Sequence, residues 1–241
     1  MWRKDFMRGF LHGVPIMLGY LAVSFSFGIF SINSGLSVAE ATLISLTNLT
    51  SAGQLAGVPI IAGGGSLIEL AMTQLVINMR YALMSVSLSQ KLHGSVRRPE
   101  RFLIGFGNTD EIFAVATAQP IPLTSPYMYG LIVSPVLGWT GGTLIGGVAG
   151  NVLPAAVISA LGVAIYGMLI AVVVPIMRDH RPTALCVALS VALSCLFYYL
   201  PTLRVIPSGF VIILCAVSAS ALFALLFPLP LAEGEKGGNA T

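Results

Sequence analysis

Residues 127–149 read YMYGLIVSPVLGWTGGTLIGGVA, a run that contains no Asp, Glu, Lys, Arg or His. At about 1.5 Å per helical residue such a run measures about 35 Å, and it can cross the ~30 Å hydrocarbon core of a bilayer. The run is continuously apolar and does not alternate, which indicates a helix and not a strand of a membrane barrel. It therefore predicts a transmembrane helix.

The composition extends this reading to the whole chain. Of the 241 residues, 56% are hydrophobic and 9% are charged, and the mean hydropathy is +0.91. An ordinary soluble domain carries about 25% charged residues, so a soluble globular protein is excluded. We expect an all-α, polytopic membrane helical bundle that forms a single transmembrane domain over 1–230, followed by a short polar tail at 231–241.

Hydropathy places several further helices along the chain. Six runs are long enough to be full spans: 13–33, 66–90, 127–149, 154–177, 183–203 and 207–228. Two more segments, 38–62 and 102–118, are apolar but contain polar residues at their centres. The two segments are predicted to be broken helices.

Basic residues define the expected orientation. They cluster at three places: Arg3, Lys4 and Arg8 at the N-terminus, Lys91, Arg97, Arg98 and Arg101 in one loop, and Arg178 and Arg181 in a hinge. Loops rich in Lys and Arg stay in the cytoplasm, which predicts a cytoplasmic N-terminus. An even number of crossings must then separate the clusters, so 38–62 is predicted to be re-entrant and 102–118 to be re-entrant or interfacial. The alternative is that 38–62 is one kinked span.

The two broken segments would enter the membrane from opposite faces. This arrangement suggests an inverted repeat of discontinuous helices, which is typical of secondary transporters. Irregular backbone at membrane depth is tolerated only where it is buried in protein or lines a wet cavity.

Other functional classes find little support in the residues. The net charge of +3 comes from basic residues between apolar runs, so the partner they indicate is the bilayer and not nucleic acid. The chain has no serine nucleophile elbow, zinc-binding helix motif or phosphate-binding glycine loop. We expect no enzymatic activity, no cofactor and no metal site.

Two patterns inside the apolar runs stand out. Arg80 lies deep in the 66–90 run, and an isolated charge there costs several kcal/mol, so we expect it to pair with Asp110 or Glu111.

Glycines recur every four residues at the end of the 127–149 run, at Gly138, Gly142, Gly146 and Gly150. This stripe indicates close packing of another helix; a sliding surface or a seat for a partner subunit is the alternative.

Three short polar stretches resemble a known family when they are taken in order. They are Thr-Ser-Ala-Gly-Gln-Leu-Ala at 50–56, Asn-Met-Arg-Tyr at 78–81 and Thr-Asp-Glu at 109–111. In their order and spacing they resemble the AzlC family, the large subunits of bacterial branched-chain amino acid exporters. The resemblance implies export of valine, leucine, isoleucine and methionine across the cytoplasmic (inner) membrane. It also implies a small hydrophobic partner of the AzlD type.

Such a substrate is a zwitterion, so its site needs hydrogen-bond donors for the carboxylate and acceptors for the ammonium. The candidate residues of the two broken segments and of the run between them are Thr47, Asn48, Thr50, Ser51, Gln54, Asn78, Arg80, Asn108, Asp110 and Glu111. A channel would use the same polar residues to line a pore, and a membrane assembly subunit that transports nothing is a further alternative.

Overall fold

The computed structural model describes residues 2–150, 180–203 and 205–227, together with positions 154, 156, 167, 170, 173, 174, 177 and 178. These residues form nine α-helices, one 3₁₀ turn at Pro201–Leu203 and no β-strand. In chain order the helices are α1 (Trp2–Asn33), α2 (Val38–Thr47), α3 (Ala52–Ala62), α4 (Leu67–Lys91), α5 (Arg98–Phe106), α6 (Asp110–Thr117), α7 (Ser125–Ala149), α8 (Arg181–Tyr199) and α9 (Ser208–Leu226). The predicted all-α class is confirmed.

Contacts divide the chain into two compact units, Met1–Val172 and Val173–Thr241. The first unit contains α1 to α7 and the second contains α8 and α9, which pack against each other. In the first unit, long helices alternate with pairs of short ones: α1, then α2 and α3, then α4, then α5 and α6, then α7.

Four helices of the described chain are long and apolar enough to cross a membrane, namely α1, α7, α8 and α9. They coincide with four of the predicted spans. α1 begins at Trp2 rather than at residue 13, because charged residues extend the helix beyond its apolar part without breaking it. α4 matches the predicted 66–90 run in position and length, but Gln74, Asn78 and Arg80 lower its hydropathy and it is not among the four. The 154–177 run lies almost wholly outside the described residues, and so does the 231–241 tail.

The first broken segment is interrupted where the sequence predicts it. α2 ends at Thr47 and α3 begins at Ala52, and the connection passes through Ser51, which has a φ of +39°. Across the break, the Gln54 amide donates a hydrogen bond of 3.1 Å to the Ser45 hydroxyl. Residues nine positions apart would lie about 13 Å apart along a continuous helix, so the chain bends sharply here.

The second broken segment is interrupted between Phe106 and Asp110. The Thr109 hydroxyl accepts a hydrogen bond of 3.4 Å from the Ile112 backbone N–H and caps α6. Such a cap satisfies one of the orphan donors at a helix N-terminus. The largest apolar cluster, which includes Leu88, Ile112 and Leu131, fixes this segment between α4 and α7.

The glycine stripe of α7 packs against α1. A Cβ atom added to Gly142 would lie 2.5 Å from the backbone oxygen of Leu21, and one added to Gly146 would overlap the backbone oxygen of Phe25. α1 also contributes a glycine to this contact, because a Cβ atom at Gly28 would come within 2.6 Å of the Gly147 nitrogen. The stripe therefore brings two long helices of the same chain into backbone contact, which is the close packing expected of small residues in membranes.

Candidate functional site

The polar turn between α2 and α3 is held by the side chains of α4. We call Thr47–Gln54 the first tip. Gln74 donates from Nε2 to the Gly53 oxygen at 2.7 Å, and its Oε1 accepts from Asn48 at 3.3 Å and from Asn78 at 3.0 Å. Thr50 donates to Asn48 Oδ1 at 2.6 Å. One amide of α4 thus organises the backbone and the side chains of the tip.

Gln54 is 1% exposed, and its amide is engaged on both sides. Trp139 of α7 donates from Nε1 to Gln54 Oε1 at 2.9 Å, and Gln54 Nε2 donates to Ser45 Oγ at 3.1 Å. The Ser45 hydroxyl lies 2.7 Å from that of Thr143. These bonds attach the first tip to α7, and they satisfy a buried amide that would otherwise cost about 1–3 kcal/mol.

The ion pair predicted for Arg80 is present. Its Nη1 lies 2.7 Å from Oδ2 of Asp110, and it is the one ion pair among the described residues. The two side chains are 47% and 42% exposed, so neither is sealed inside the protein. The guanidinium also lies 4.8 Å above the ring of Tyr81. α4 therefore holds a positive charge against the second tip, which we define as Asn108–Glu111.

Tyr20 of α1 connects to the other side of the second tip. Its hydroxyl lies 2.8 Å from Thr109 Oγ1 and donates to the carboxylate of Glu111. The Tyr20 ring meets the Trp139 ring edge to face, with centroids 5.1 Å apart. Since Trp139 bonds to Gln54, this aromatic pair links the two tips.

Four buried side-chain oxygens have no hydrogen-bond partner among the residues that the structure describes. Asn108 is 2% exposed; it donates to Ser85 Oγ over a long 3.4 Å, and its Oδ1 has no partner. Oδ1 of Asn78 and Oγ1 of Thr73, both on α4, are also unpartnered, as is Oγ1 of Thr140 on α7. Most buried polar atoms in native proteins have partners. The unpartnered oxygens leave capacity to accept hydrogen bonds from a ligand.

The candidate residues divide by their surroundings. Asn48, Thr50, Gln54 and Asn78 meet at the first tip, and Arg80, Asn108, Asp110 and Glu111 meet at the second. The other two contribute less to the network: Thr47 donates to the Leu43 backbone at 2.8 Å, and the Ser51 side chain makes no capping bond.

Sequence reasoning missed two members of the network, Tyr20 and Trp139. Each lies in an apolar run, where an aromatic residue is normally interpreted as part of the hydrophobic core. The available signal was the polar end of each side chain, since a buried Tyr hydroxyl or Trp N–H usually finds a partner.

These helices and this polar network define a membrane protein built around two broken helix pairs. Residues 15–153 match the model of the AzlC protein family, and this range contains both tips, Tyr20 and Trp139. The match covers more than half of the 241 residues. The chain belongs to the AzlC family.

Three relatives show how far the similarity extends. The inner membrane protein YgaZ of Escherichia coli is 31% identical over 150 residues, 61% of each chain. An uncharacterized membrane protein of Archaeoglobus fulgidus is 30% identical over 191 residues, 78% of this chain and 84% of that one. The branched-chain amino acid transport protein AzlC of Bacillus subtilis is 24% identical over 149 residues, 61% of this chain and 58% of that one.

The match therefore spans less than two thirds of the length of YgaZ and of the Bacillus protein. No solved structure matches the chain.

Proposed function

We propose that this protein is a secondary transporter that exports the branched-chain amino acids valine, leucine and isoleucine, and also methionine, across the bacterial inner membrane. The family supports the substrate class, because the Bacillus subtilis relative is named a branched-chain amino acid transport protein. The support for export rather than uptake is the resemblance of the three polar stretches to those of the exporter family.

The observation that carries the proposal is a pair of unpartnered oxygens, that of Asn78 beside the first tip and that of Asn108 in the second tip. The ammonium of an amino acid has three N–H donors, and Asn78 Oδ1 and Asn108 Oδ1 are buried acceptors without donors. Arg80 supplies a positive charge for the carboxylate in the same region, where it also contacts Asp110. An amino acid at this place would satisfy groups that the protein leaves unsatisfied.

The network also suggests how the site opens. A buried oxygen is reached by a ligand only when the groups that cover it move, and the tips are held by a small number of side-chain hydrogen bonds to α1, α4 and α7. We expect substrate to enter when one tip separates from α4. Discontinuous helices at a midplane site commonly serve this role in secondary transporters.

The expected topology places six full spans in the membrane with the N-terminus in the cytoplasm, and both broken pairs re-entrant. The sharp bend between Ser45 and Gln54 supports a re-entrant first pair. The basic residues that follow α4, with Arg97 before α5 and Arg98 and Arg101 in its first turns, support the cytoplasmic side.

A small hydrophobic subunit of the AzlD type is the proposed partner. The support is the family resemblance, and co-purification of a tagged chain with a co-expressed AzlD-type subunit tests it. Failure to co-purify in mild detergent and after cross-linking in membranes would contradict the partnership.

Counterflow in proteoliposomes tests the transport activity. Vesicles loaded with unlabelled leucine should transiently accumulate labelled leucine from outside, because a carrier exchanges substrate through one saturable site. The experiment is run with and without the AzlD-type subunit, and with lysine inside as the control load. A channel would equilibrate label without the transient overshoot, and an assembly subunit would give no flux under either condition.

A further inference from the structure

A groove lies between the C-terminal half of α4 and the short helix α5. Its volume is about 620 Å³, and its lining includes Ser85, Ser89, Arg98, Arg101, Phe102 and Phe106. The groove is open to the surface and lies apart from the hydrogen bonds of the first tip. It combines two cations, two hydroxyls and two aromatic rings in one place.

The positive charges of the groove are not neutralised by the described protein. The Arg80–Asp110 contact is the one ion pair in the described part of the chain, so neither Arg98 nor Arg101 has a carboxylate there. The nearest acidic residue in sequence, Glu100, accepts a hydrogen bond of 2.7 Å from the Arg97 backbone N–H instead. An anion in the groove would therefore meet two uncompensated guanidinium groups.

The other end of the groove is apolar and accessible. Phe102 is 81% exposed and Phe106 is 54% exposed. Both lie on α5, on the same short helix as the two arginines. An arginine next to an exposed phenylalanine suits a ligand that carries an anionic head and a hydrocarbon tail.

The position of the groove along the chain favours a membrane lipid as that ligand. The groove follows the basic loop after α4, which we place at the cytoplasmic face, and anionic lipids at that face attract basic residues. We propose that the groove binds one anionic phospholipid, with its phosphate between Arg98 and Arg101 and an acyl chain against Phe102 and Phe106. The inference depends on the proposed orientation of the loop and is independent of the transported substrate.

The bound lipid would touch the second tip through one residue. Ser85 lines the groove and is also the acceptor of the 3.4 Å hydrogen bond from Asn108. α5 leads directly into the tip, since it ends at Phe106. A lipid in the groove would contact Ser85 and so stabilise the Asn108–Ser85 hydrogen bond of the second tip. We therefore expect the transport rate to depend on anionic lipid.

Binding is tested with purified protein in detergent by native mass spectrometry and by thermal shift. The probes are phosphatidylglycerol, phosphatidylcholine with the same acyl chains, and inorganic phosphate. We expect one tightly retained phosphatidylglycerol and a higher unfolding midpoint with that lipid alone. Arg98→Gln with Arg101→Gln should weaken binding about 25-fold, or about fivefold per arginine, equivalent to about 1 kcal/mol for each charge.

Arg97→Gln is the matched control, because Arg97 is exposed and adjacent but does not line the groove. Phe102→Ser tests the acyl contact separately and should weaken the binding of phosphatidylglycerol. Equal retention of the two lipids, or an equal loss in the Arg97 control, would overturn the proposal. Competition by inorganic phosphate as strong as by phosphatidylglycerol would instead assign a free-anion site. Leucine counterflow in vesicles that contain phosphatidylglycerol, compared with neutral-lipid vesicles, separates these outcomes from failure of the transport proposal, which would abolish counterflow in both.

Discussion

The indole N–H of Trp139 donates a hydrogen bond of 2.9 Å to the side-chain oxygen of Gln54, and this bond ties α7 to the first tip. The Trp139 ring also contacts Tyr20, whose hydroxyl bonds to Glu111 in the second tip. The two tips are thus fastened to the long helices α1 and α7, which the glycine contacts hold together. The two polar tips are therefore both attached to the closely packed pair of helices α1 and α7.

The Trp139 bond makes a prediction for stability. Trp139→Phe removes the donor but keeps an aromatic ring, and it leaves Gln54 Oε1 buried without its partner. The free energy of unfolding should fall by about 1–3 kcal/mol, measured by chemical unfolding in detergent. Trp2→Phe is the control, because Trp2 is exposed at the start of α1. Equal losses in the two variants would mean that the bond contributes nothing.

The ion pair makes a prediction through a double-mutant cycle. Arg80→Gln and Asp110→Asn each leave one charge without its partner, whereas the double variant leaves none. Because both side chains are about half exposed, we expect a coupling energy of about 1 kcal/mol or less in detergent. Thermal unfolding of the four proteins measures it. Additive losses would show that the two charges do not interact.

The glycine contact between α1 and α7 can be tested within one helix. Gly142→Ala places a methyl group against Leu21 and Ser24 and should destabilise the protein by about 1–3 kcal/mol. Gly141→Ala is the matched control, since a Cβ atom there has no neighbour within 4 Å. The control should keep or slightly raise stability, because alanine favours helix over glycine. A destabilised Gly141→Ala with an unaffected Gly142→Ala would reverse the packing assignment.

The backbone of the first tip predicts a stabilising substitution. Ser51 has a φ of +39°, a value that costs an L-residue about 1–2 kcal/mol and costs glycine little. Ser51→Gly should therefore raise the unfolding midpoint. Ser37→Gly should lower it, because the Ser37 hydroxyl caps α2 by accepting from the Glu40 N–H at 3.3 Å. Shifts of the same sign in both variants would argue against strain at Ser51.

The orientation of the first broken pair is tested by cysteine labelling in a background without the three native cysteines. Asn33 ends α1 and Leu67 begins α4. If 38–62 is re-entrant, cysteines at these two positions react with the same side-specific reagent, and one at Ser95 reacts from the cytoplasm. Labelling of positions 33 and 67 from opposite sides would instead make 38–62 a full span.

Much of the fold could be predicted because a helix that crosses a bilayer must be long and apolar, and its polar groups must have partners. A cluster of polar residues in an apolar run indicates a break in the backbone, and a charge in such a run needs a partner. These two rules located the break after Thr47, the break before Asp110 and the Arg80–Asp110 pair. Apolar length also located most of the long helices. It missed the start of α1, since hydropathy marks the membrane part of a helix and not its whole extent.

The partners of individual side chains could not be predicted in the same way. Trp139 and Gln54 are 85 positions apart, and Tyr20 and Glu111 are 91 apart. Such pairs depend on how the helices pack, which hydropathy does not specify. For the same reason the sequence could not tell that Gln54 is fully engaged within the protein while Asn78 and Asn108 each keep an unpartnered oxygen.

Leucine binding to purified protein tests the central claim, that the polar groups between the tips hold the amino acid. Asn78→Leu and Asn108→Leu remove the unpartnered acceptors and keep the branched shape of the side chain, and Gln90→Leu, on the exposed end of α4, is the control. Calorimetry on folded, monodisperse protein should show leucine affinity about tenfold lower or worse in the two site variants, with the affinity of the control close to that of the wild type. Unchanged affinity in both site variants would contradict the account.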